Sequence, residues 1–398
     1  MITKHYKSIK SIKKNTLLMD YYFMGKYHFS PYMACQHGCK YCDGRCEKYY
    51  VEGDFEKDIV IRENIATLLE KKLPTYREKG TILIGSGISD PYQPVETKEK
   101  LMIKCLSHIV DTKFSVSVMT KSSLALRDID LYDAINKKTR ALLMVSLVYS
   151  SDKDRKIMEP SASSVQARLD MIKQFKERKI PVCVLAMPLL PLISDDIESV
   201  IKLFDLLKTL DVDVIMPGGL TLRPGKQKDL YLDIIDKHYP KLLKKYQTIY
   251  RGNYPSGSPE NYYMAKIMPP IYQALKERAI PSYLPHKIYK GCYPAYDEIF
   301  FLIKHMKQLY KYSSIPIEPL KKADAYYSKW LLDHKKVFNR KRSMTQGELE
   351  EELWEALNDP HSPILAYNNK FTTFIKKAVF ENFYFDYTTL KLEKHLTN

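Results

Sequence analysis

The chain has 398 residues, 45% of them hydrophobic, with a formal net charge of +16 and a pI near 9.2. That length can bury a large core and suits two or three domains, while the longest apolar runs, such as 182–190 with Pro188 inside, fall short of the roughly 20 residues a membrane span needs. The basic start, 1–14, has no apolar core followed by small residues, so no secretory signal is expected and the protein is placed in the cytoplasm.

Runs of β-branched and apolar residues predict strands at 26–30, 81–85, 114–120, 141–148, 180–187 and 212–217. Between them, apolar residues spaced by three and four predict helices over 59–72, 99–110, 126–136, 165–178 and 197–210. Ser163 or Ser164 can cap the fourth of these and Asp195 or Asp196 the fifth. Six strands alternating with helices predict an α/β fold with a parallel sheet and right-handed crossovers, an open, partial (β/α)6 barrel of the TIM-like kind. In such folds chemistry sits at the carboxyl ends of the strands.

From about residue 225 the alternation stops. Helices are expected over 230–250, 260–278 and 298–311, with loops at 252–259 and 281–294, and a helical appendage follows a proline-marked linker beyond Ser313. The expected organisation is a basic extension over 1–20, an α/β core over 21–225, a helical and loop region closing the barrel over 226–312, and a mostly helical C-terminal appendage over 313–398.

Seven cysteines are an odd number, and four of them, Cys35, Cys39, Cys42 and Cys46, fall within twelve positions. That crowding suits a metal site in a reducing compartment better than a disulfide framework. In SPYMACQHGCKYCDGRC the spacing C-x3-C-x2-C lets one short loop wrap three sulfurs around an iron–sulfur cube. Three ligands for four irons leave one iron open to a substrate or cofactor, as a catalytic site requires. S-adenosylmethionine (SAM) can fill that position through its amino and carboxylate groups. Gly38 and Gly44 permit a tight wrap. The alternative is a closed zinc site with Cys46 as a fourth ligand. His37 reads as a hydrogen-bonding or solvent-facing loop residue, Cys105 and Cys183 as small buried hydrophobes, and Cys292 as unassigned.

The positive charge would concentrate nucleic acid around the surface, although Lys, Ile, Tyr and Asn are all frequent, as AT-rich coding alone would produce. A second alternative is therefore a non-enzymatic nucleic-acid-binding protein folded around a structural metal.

The cysteine loop resembles that of the radical SAM superfamily. With GSGISDPYQPVE, VMTKS, MVSLVYS, MEPSASSVQARL and VLAMPLLP in this order, 27–223 is similar to its spore photoproduct lyase-like branch. The resemblance implies a [4Fe-4S] cluster on Cys35, Cys39 and Cys42, SAM as cofactor, and a 5'-deoxyadenosyl radical that attacks a substrate, DNA or RNA among the candidates. It implies a flavodoxin- or ferredoxin-like electron donor. Tyr41 would position SAM, Gly85, Ser86 and Gly87 would pass its methionine end, and Lys121, Ser146 and Arg168 would approach its polar groups. Tyr41, Asp90 and Tyr92 are the candidate catalytic residues, and Gln93 could line the cavity with Asp90 and Tyr92. Two departures stand out. Gly87 occupies the place of the lyase's hydrogen-donor cysteine, and Asp43 replaces its second tyrosine after the third cluster cysteine. Lesion repair of the lyase type would need Cys46 or Cys292 to supply the thiol.

Overall fold

The structure, a computed structural model, describes residues 3–8, 12–49, 51–85, 88–311, 315–361, 364–365 and 369–395. Six strands form the central sheet: β1 (Tyr27–Phe29), β2 (Gly80–Ile84), β3 (Phe114–Thr120), β4 (Ala141–Ser146), β5 (Val182–Leu189) and β6 (Val214–Gly219). Each pairs in parallel with its neighbours in chain order, Tyr27 opposite Ile82 and Val116 opposite Ala141, for example. Lys13–Lys14 adds a short antiparallel strand outside β1. The sheet has β6 at one edge, so it is an open barrel.

Alternation along the strands sorts their side chains into two cores. Ile82, Ile84, Val116, Val118, Leu143, Val145, Val182, Val184 and Ile215 pack against the crossover helices. These are α1 (Ile65–Lys72), α2 (Leu101–Val110), α3 (Ile129–Lys138), α4 (Val165–Glu177) and α5 (Ile197–Thr209). Each buried Leu or Phe on them, such as Leu203 or Phe204, contributes about 1.5–3 kcal/mol. Ser164 caps α4 through the Ala167 N–H at 3.1 Å, and Asp196 caps α5 through the Ser199 N–H at 2.9 Å.

The opposite face, including Leu83, Leu142, Met144, Cys183, Leu185, Val214 and Met216, shares its core with the C-terminal helices α6 (Ala295–Tyr310) and α7 (Glu318–Arg340). Below the sheet a buried ionic cluster ties these pieces together. Lys26 Nζ lies 2.5 Å from Glu78 and 2.7 Å from Asp297, Lys14 reaches Glu78 at 2.7 Å, and Lys335 of α7 reaches Asp297 at 2.5 Å.

The sequence expectation of one helix over 59–72 is corrected. Ile59–Arg62 is a strand, parallel to Thr3–Tyr6 and antiparallel to Tyr32–Met33, and α1 begins only at Ile65. The alternation of Ile59 and Ile61 into the core satisfies a strand as well as a helix start, and the distant pairing partners decide it. Lys100, at φ +51°, separates a short turn of helix, Glu96–Glu99, from α2. Pro240 divides the helix expected over 230–250 into Lys226–His238 and Leu243–Ile249. The chain also forms a short helix, Asp152–Met158, between β4 and α4. Among the described residues no helix is long and apolar enough to cross a membrane.

Candidate active site

The cysteine loop leaves the end of β1 and folds back in successive tight turns. The Gly38 N–H donates to the Cys35 carbonyl at 3.3 Å and the Cys42 N–H to the Cys39 carbonyl at 3.3 Å, while the Cys35 N–H is held by Phe55 O at 3.0 Å. Gly38 takes φ +65°, and a Cβ there would stand 2.8 Å from Glu56 Oε2. A Cβ on Gly44 would stand 2.8 Å from the Phe55 ring and 3.0 Å from Ile88 Cα. Both positions need glycine for the wrap. Glu56 braces the loop by pairing with Lys40 at 2.8 Å and with Arg45, whose Nε also donates to Cys39 O at 2.9 Å.

This wrap brings Cys35, Cys39 and Cys42 to the wall of one cavity of about 610 Å³ at the carboxyl ends of the strands. Gly85 after β2, Thr120 and Lys121 at the end of β3, Ser146 at the end of β4 and Gly219 to Thr221 after β6 share that wall. Burial pushes the Cys42 thiol up to about 11 and raises Cys39 well above its ordinary value. Thiolates in this place therefore need a cationic partner, and a metal cluster supplies one. Among the described residues no group of three or more His, Cys, Asp or Glu side chains converges as a single-ion site would require. Cys46 is buried outside the cavity wall. The residues present thus fit a cluster held by three thiolates with room beside it for a cofactor.

Tyr41 anchors the loop to the barrel. Its buried hydroxyl donates to Glu159, which also pairs with Arg168 of α4. Arg168 donates further to Ser146 O at 2.8 Å and Ser163 O at 3.0 Å. Lys121 Nζ lies 5.8 Å from the centre of the Tyr41 ring. For Glu159, burial opposes ionisation, and the Arg168 guanidinium outweighs it and holds the carboxyl below its ordinary value. Arg168 itself is completely buried and does not border the cavity, which corrects its expected approach to SAM; it acts on the site through Glu159 and the Ser146 carbonyl.

Asp90 borders the cavity with both oxygens engaged. Oδ1 accepts from Thr120 Oγ1 and the Tyr92 N–H, each at 2.8 Å, and Oδ2 accepts the Lys121 N–H at 2.7 Å. His37 Nδ1 lies 3.3 Å from the same Oδ2, without the alignment of a hydrogen bond. Burial alone would lower the His37 pKa, but the Asp90 carboxylate outweighs it and pushes the value up to about 10.

The structure therefore gathers Cys35, Cys39, Cys42, Tyr41, Gly85, Asp90, Lys121 and Ser146 around one cavity. Ser86 and Gly87 lie outside the described residues. Two further expectations are corrected. Tyr92 is buried away from the cavity, its hydroxyl donating to Asp128 at 2.9 Å and accepting from Tyr132 at 3.2 Å. Gln93 clamps the cysteine loop from behind, through the Gln36 N–H at 2.8 Å and Ala34 O at 3.2 Å. Sequence reasoning passed over Glu159, which stands in the quoted MEPSASSVQARL, and His37, expected as a hydrogen-bonding or solvent-facing loop residue, is buried against Asp90. It also gave no role to Arg62, which borders the cavity.

A parallel barrel with three thiols on its carboxyl rim is an arrangement that suits a radical-generating iron–sulfur enzyme. Residues 29–204 match the model of the Radical SAM superfamily, whose enzymes use a [4Fe-4S] cluster and SAM. An uncharacterised protein of Mycobacterium tuberculosis is 26% identical over 281 residues, 69% of this chain and 78% of that one. An uncharacterised protein of Methanocaldococcus jannaschii is 33% identical over 172 residues, 43% of this chain and 62% of that one. Among solved structures, spore photoproduct lyase complexed with dinucleoside spore photoproduct has a similar fold, with a TM-score of 0.50, 15% identity and coverage of 69% of this chain and 79% of that one.

Proposed function

We propose that Cys35, Cys39 and Cys42 each hold one iron of the cluster, that SAM lies between Tyr41, Gly85, Lys121 and Ser146, and that the enzyme abstracts hydrogen from a nucleic-acid substrate. The observation that carries this reading is the convergence of three thiols with Tyr41, Gly85, Lys121 and Ser146 on one strand-end cavity. The bound cofactors supply the hard chemistry, a one-electron reduction of the SAM sulfonium to give a 5'-deoxyadenosyl radical. The protein's part is placement and shelter. Tyr41, tied to Glu159, fixes the third cysteine's approach, and Lys121 offers a cation to a carboxylate. Leu83, Leu185, Met119 and Met187 make the opposite wall apolar and exclude water. Asp90, saturated with donors, is a positioning residue for His37 and the Lys121 backbone.

Nucleic acid is favoured as substrate class by the net charge of +16 and by a fold shared with a lyase solved with a dinucleoside lesion. Repair of the lyase type is disfavoured, because a returning hydrogen needs a donor thiol. Neither Cys46 nor Cys292 borders the cavity, and Cys292 lies beside Ser115, near the start of β3, about 16 Å along the strand from Thr120. A flavodoxin- or ferredoxin-like protein is the proposed reductant. The test is deuterium transfer: DNA and RNA oligonucleotides deuterated at the sugar and thymine methyl positions are incubated with reduced, cluster-loaded enzyme and SAM. Deuterium in the 5'-deoxyadenosine supports the substrate class, and its absence from every labelled oligonucleotide removes it.

A further inference from the structure

Arg62 is a cation on the cavity wall that the proposed cofactor site does not use. It ends the strand Ile59–Arg62, with its backbone N–H on Pro31 O at 2.9 Å, and its side chain borders the cavity. Its Nε is buried and has no hydrogen-bond partner among the described residues. An unsatisfied buried donor costs about 1–3 kcal/mol, more when charged, so a bound acceptor here would relieve a standing penalty. The other ionisable groups nearby are committed. His37 faces Asp90, and Asp43 accepts from Arg223 at 2.7 Å and Tyr49 at 2.5 Å. His28 has its Nε2 within 2.8 Å of Gly25 O, and burial lowers its pKa.

We propose that Arg62 is the seat of an oxyanion of the substrate, a phosphate or a carboxylate, distinct from the seat of the SAM carboxylate. A guanidinium presents a planar fork of donors that matches either group in two parallel hydrogen bonds. The separation follows from strand order. Lys121 and Ser146 stand at the ends of β3 and β4, whereas Arg62 lies beside Pro31, just beyond β1. β1 is two strands from β3 and three from β4 in the sheet, roughly 10 Å and 14 Å at the usual interstrand spacing. Lys121 is also the cation close enough to Cys39, Cys42 and Glu159 to alter their ionisation, and Arg62 has no such part. The two positive groups thus stand at separate strand ends on the cavity wall, with Lys121 the one beside the cysteine loop.

This inference rests on the cavity being the active site, and the experiment separates the two failures. Cluster-loaded enzyme is titrated calorimetrically and anaerobically with SAM, then at saturating SAM with thymidine 5'-phosphate and with glutarate, which distinguish the phosphate and carboxylate forms of the proposal. At least one of the two is expected to bind with SAM present. Arg62→Gln is expected to weaken it tenfold or more, and Arg62→Lys to fall between, because an ammonium keeps the charge and lacks the fork. Arg62→Lys also keeps the test decisive should Arg62→Gln fold poorly by circular dichroism. Failure of the wild type to bind SAM would sink the active-site reading itself. Binding of neither oxyanion, competition between oxyanion and SAM in the wild type, or wild-type affinity in both variants would overturn the assignment to Arg62.

Discussion

Tyr41, one residue before the third cysteine of the loop, donates its hydroxyl to Glu159, 118 residues away, and Glu159 answers with its other oxygen to Arg168. The pair welds the cofactor loop to the segment between β4 and α4. Removing one partner of a buried ion pair strands the other, at a cost of about 3–5 kcal/mol, whereas removing a hydrogen bond to a charged group costs about 1.5–3 kcal/mol. Glu159→Gln is therefore expected to lower unfolding free energy more than Tyr41→Phe, by roughly twofold, in urea titrations at neutral pH. Equal losses would mean that Glu159 and Arg168 are not a buried charged pair.

Gly38 offers a test of the loop alone. With φ at +65° and Glu56 against the missing Cβ, Gly38→Ala is expected to cost about 1–2 kcal/mol and to lower the iron retained after reconstitution. Iron content equal to the wild type would show that the loop finds its wrap by another route.

The cysteines divide sharply in this account. Cys39→Ala is expected to lose the cluster's visible absorption and all SAM cleavage, while Cys46→Ala, with its sulfur outside the cavity wall, retains most of both. Loss of iron in Cys46→Ala would overturn the three-ligand assignment.

The ionic cluster beneath the barrel predicts an acid-side dependence. Burial works against ionisation of Glu78, but Lys26 and its neighbouring lysines outweigh burial and hold its pKa well below the ordinary 4.5. With the folded value depressed, the native state binds fewer protons than the unfolded state as pH falls below the unfolded pKa. The contribution is thus complete above about pH 5 and is lost as pH falls through the folded value. The stability gap between wild type and Glu78→Gln, measured by urea unfolding, is expected to be constant from pH 5 to 7 and to narrow toward pH 2. A gap that widens on acidification would contradict the sign.

Much of this architecture was legible because its signals are local. The six β-branched runs, the cap residues Ser164 and Asp196 and the C-x3-C-x2-C spacing each act within a few residues of themselves. What escaped is long-range. Ile59–Arg62 reads as a helix start until Thr3–Tyr6 and Tyr32–Met33 pair with it. Glu159 looks like an ordinary acidic residue after a short helix, and only the fold brings Tyr41 and Arg168 to it. Tyr92 carries a polar tip that a loop sequence suggests is available, but Asp128 and Tyr132 satisfy it inside the core. Arg62 gave no signal in its sequence neighbourhood, since its meaning lies in lacking a partner.

The central claim is that the three-thiol cavity cleaves SAM reductively. The direct measurement is anaerobic reconstitution with iron and sulfide, addition of dithionite and SAM, and chromatographic detection of 5'-deoxyadenosine. The account predicts 5'-deoxyadenosine from the wild type and none from Cys35→Ala, Cys39→Ala or Cys42→Ala. A fully loaded cluster that yields none from the wild type, or product that persists in those variants, would contradict it.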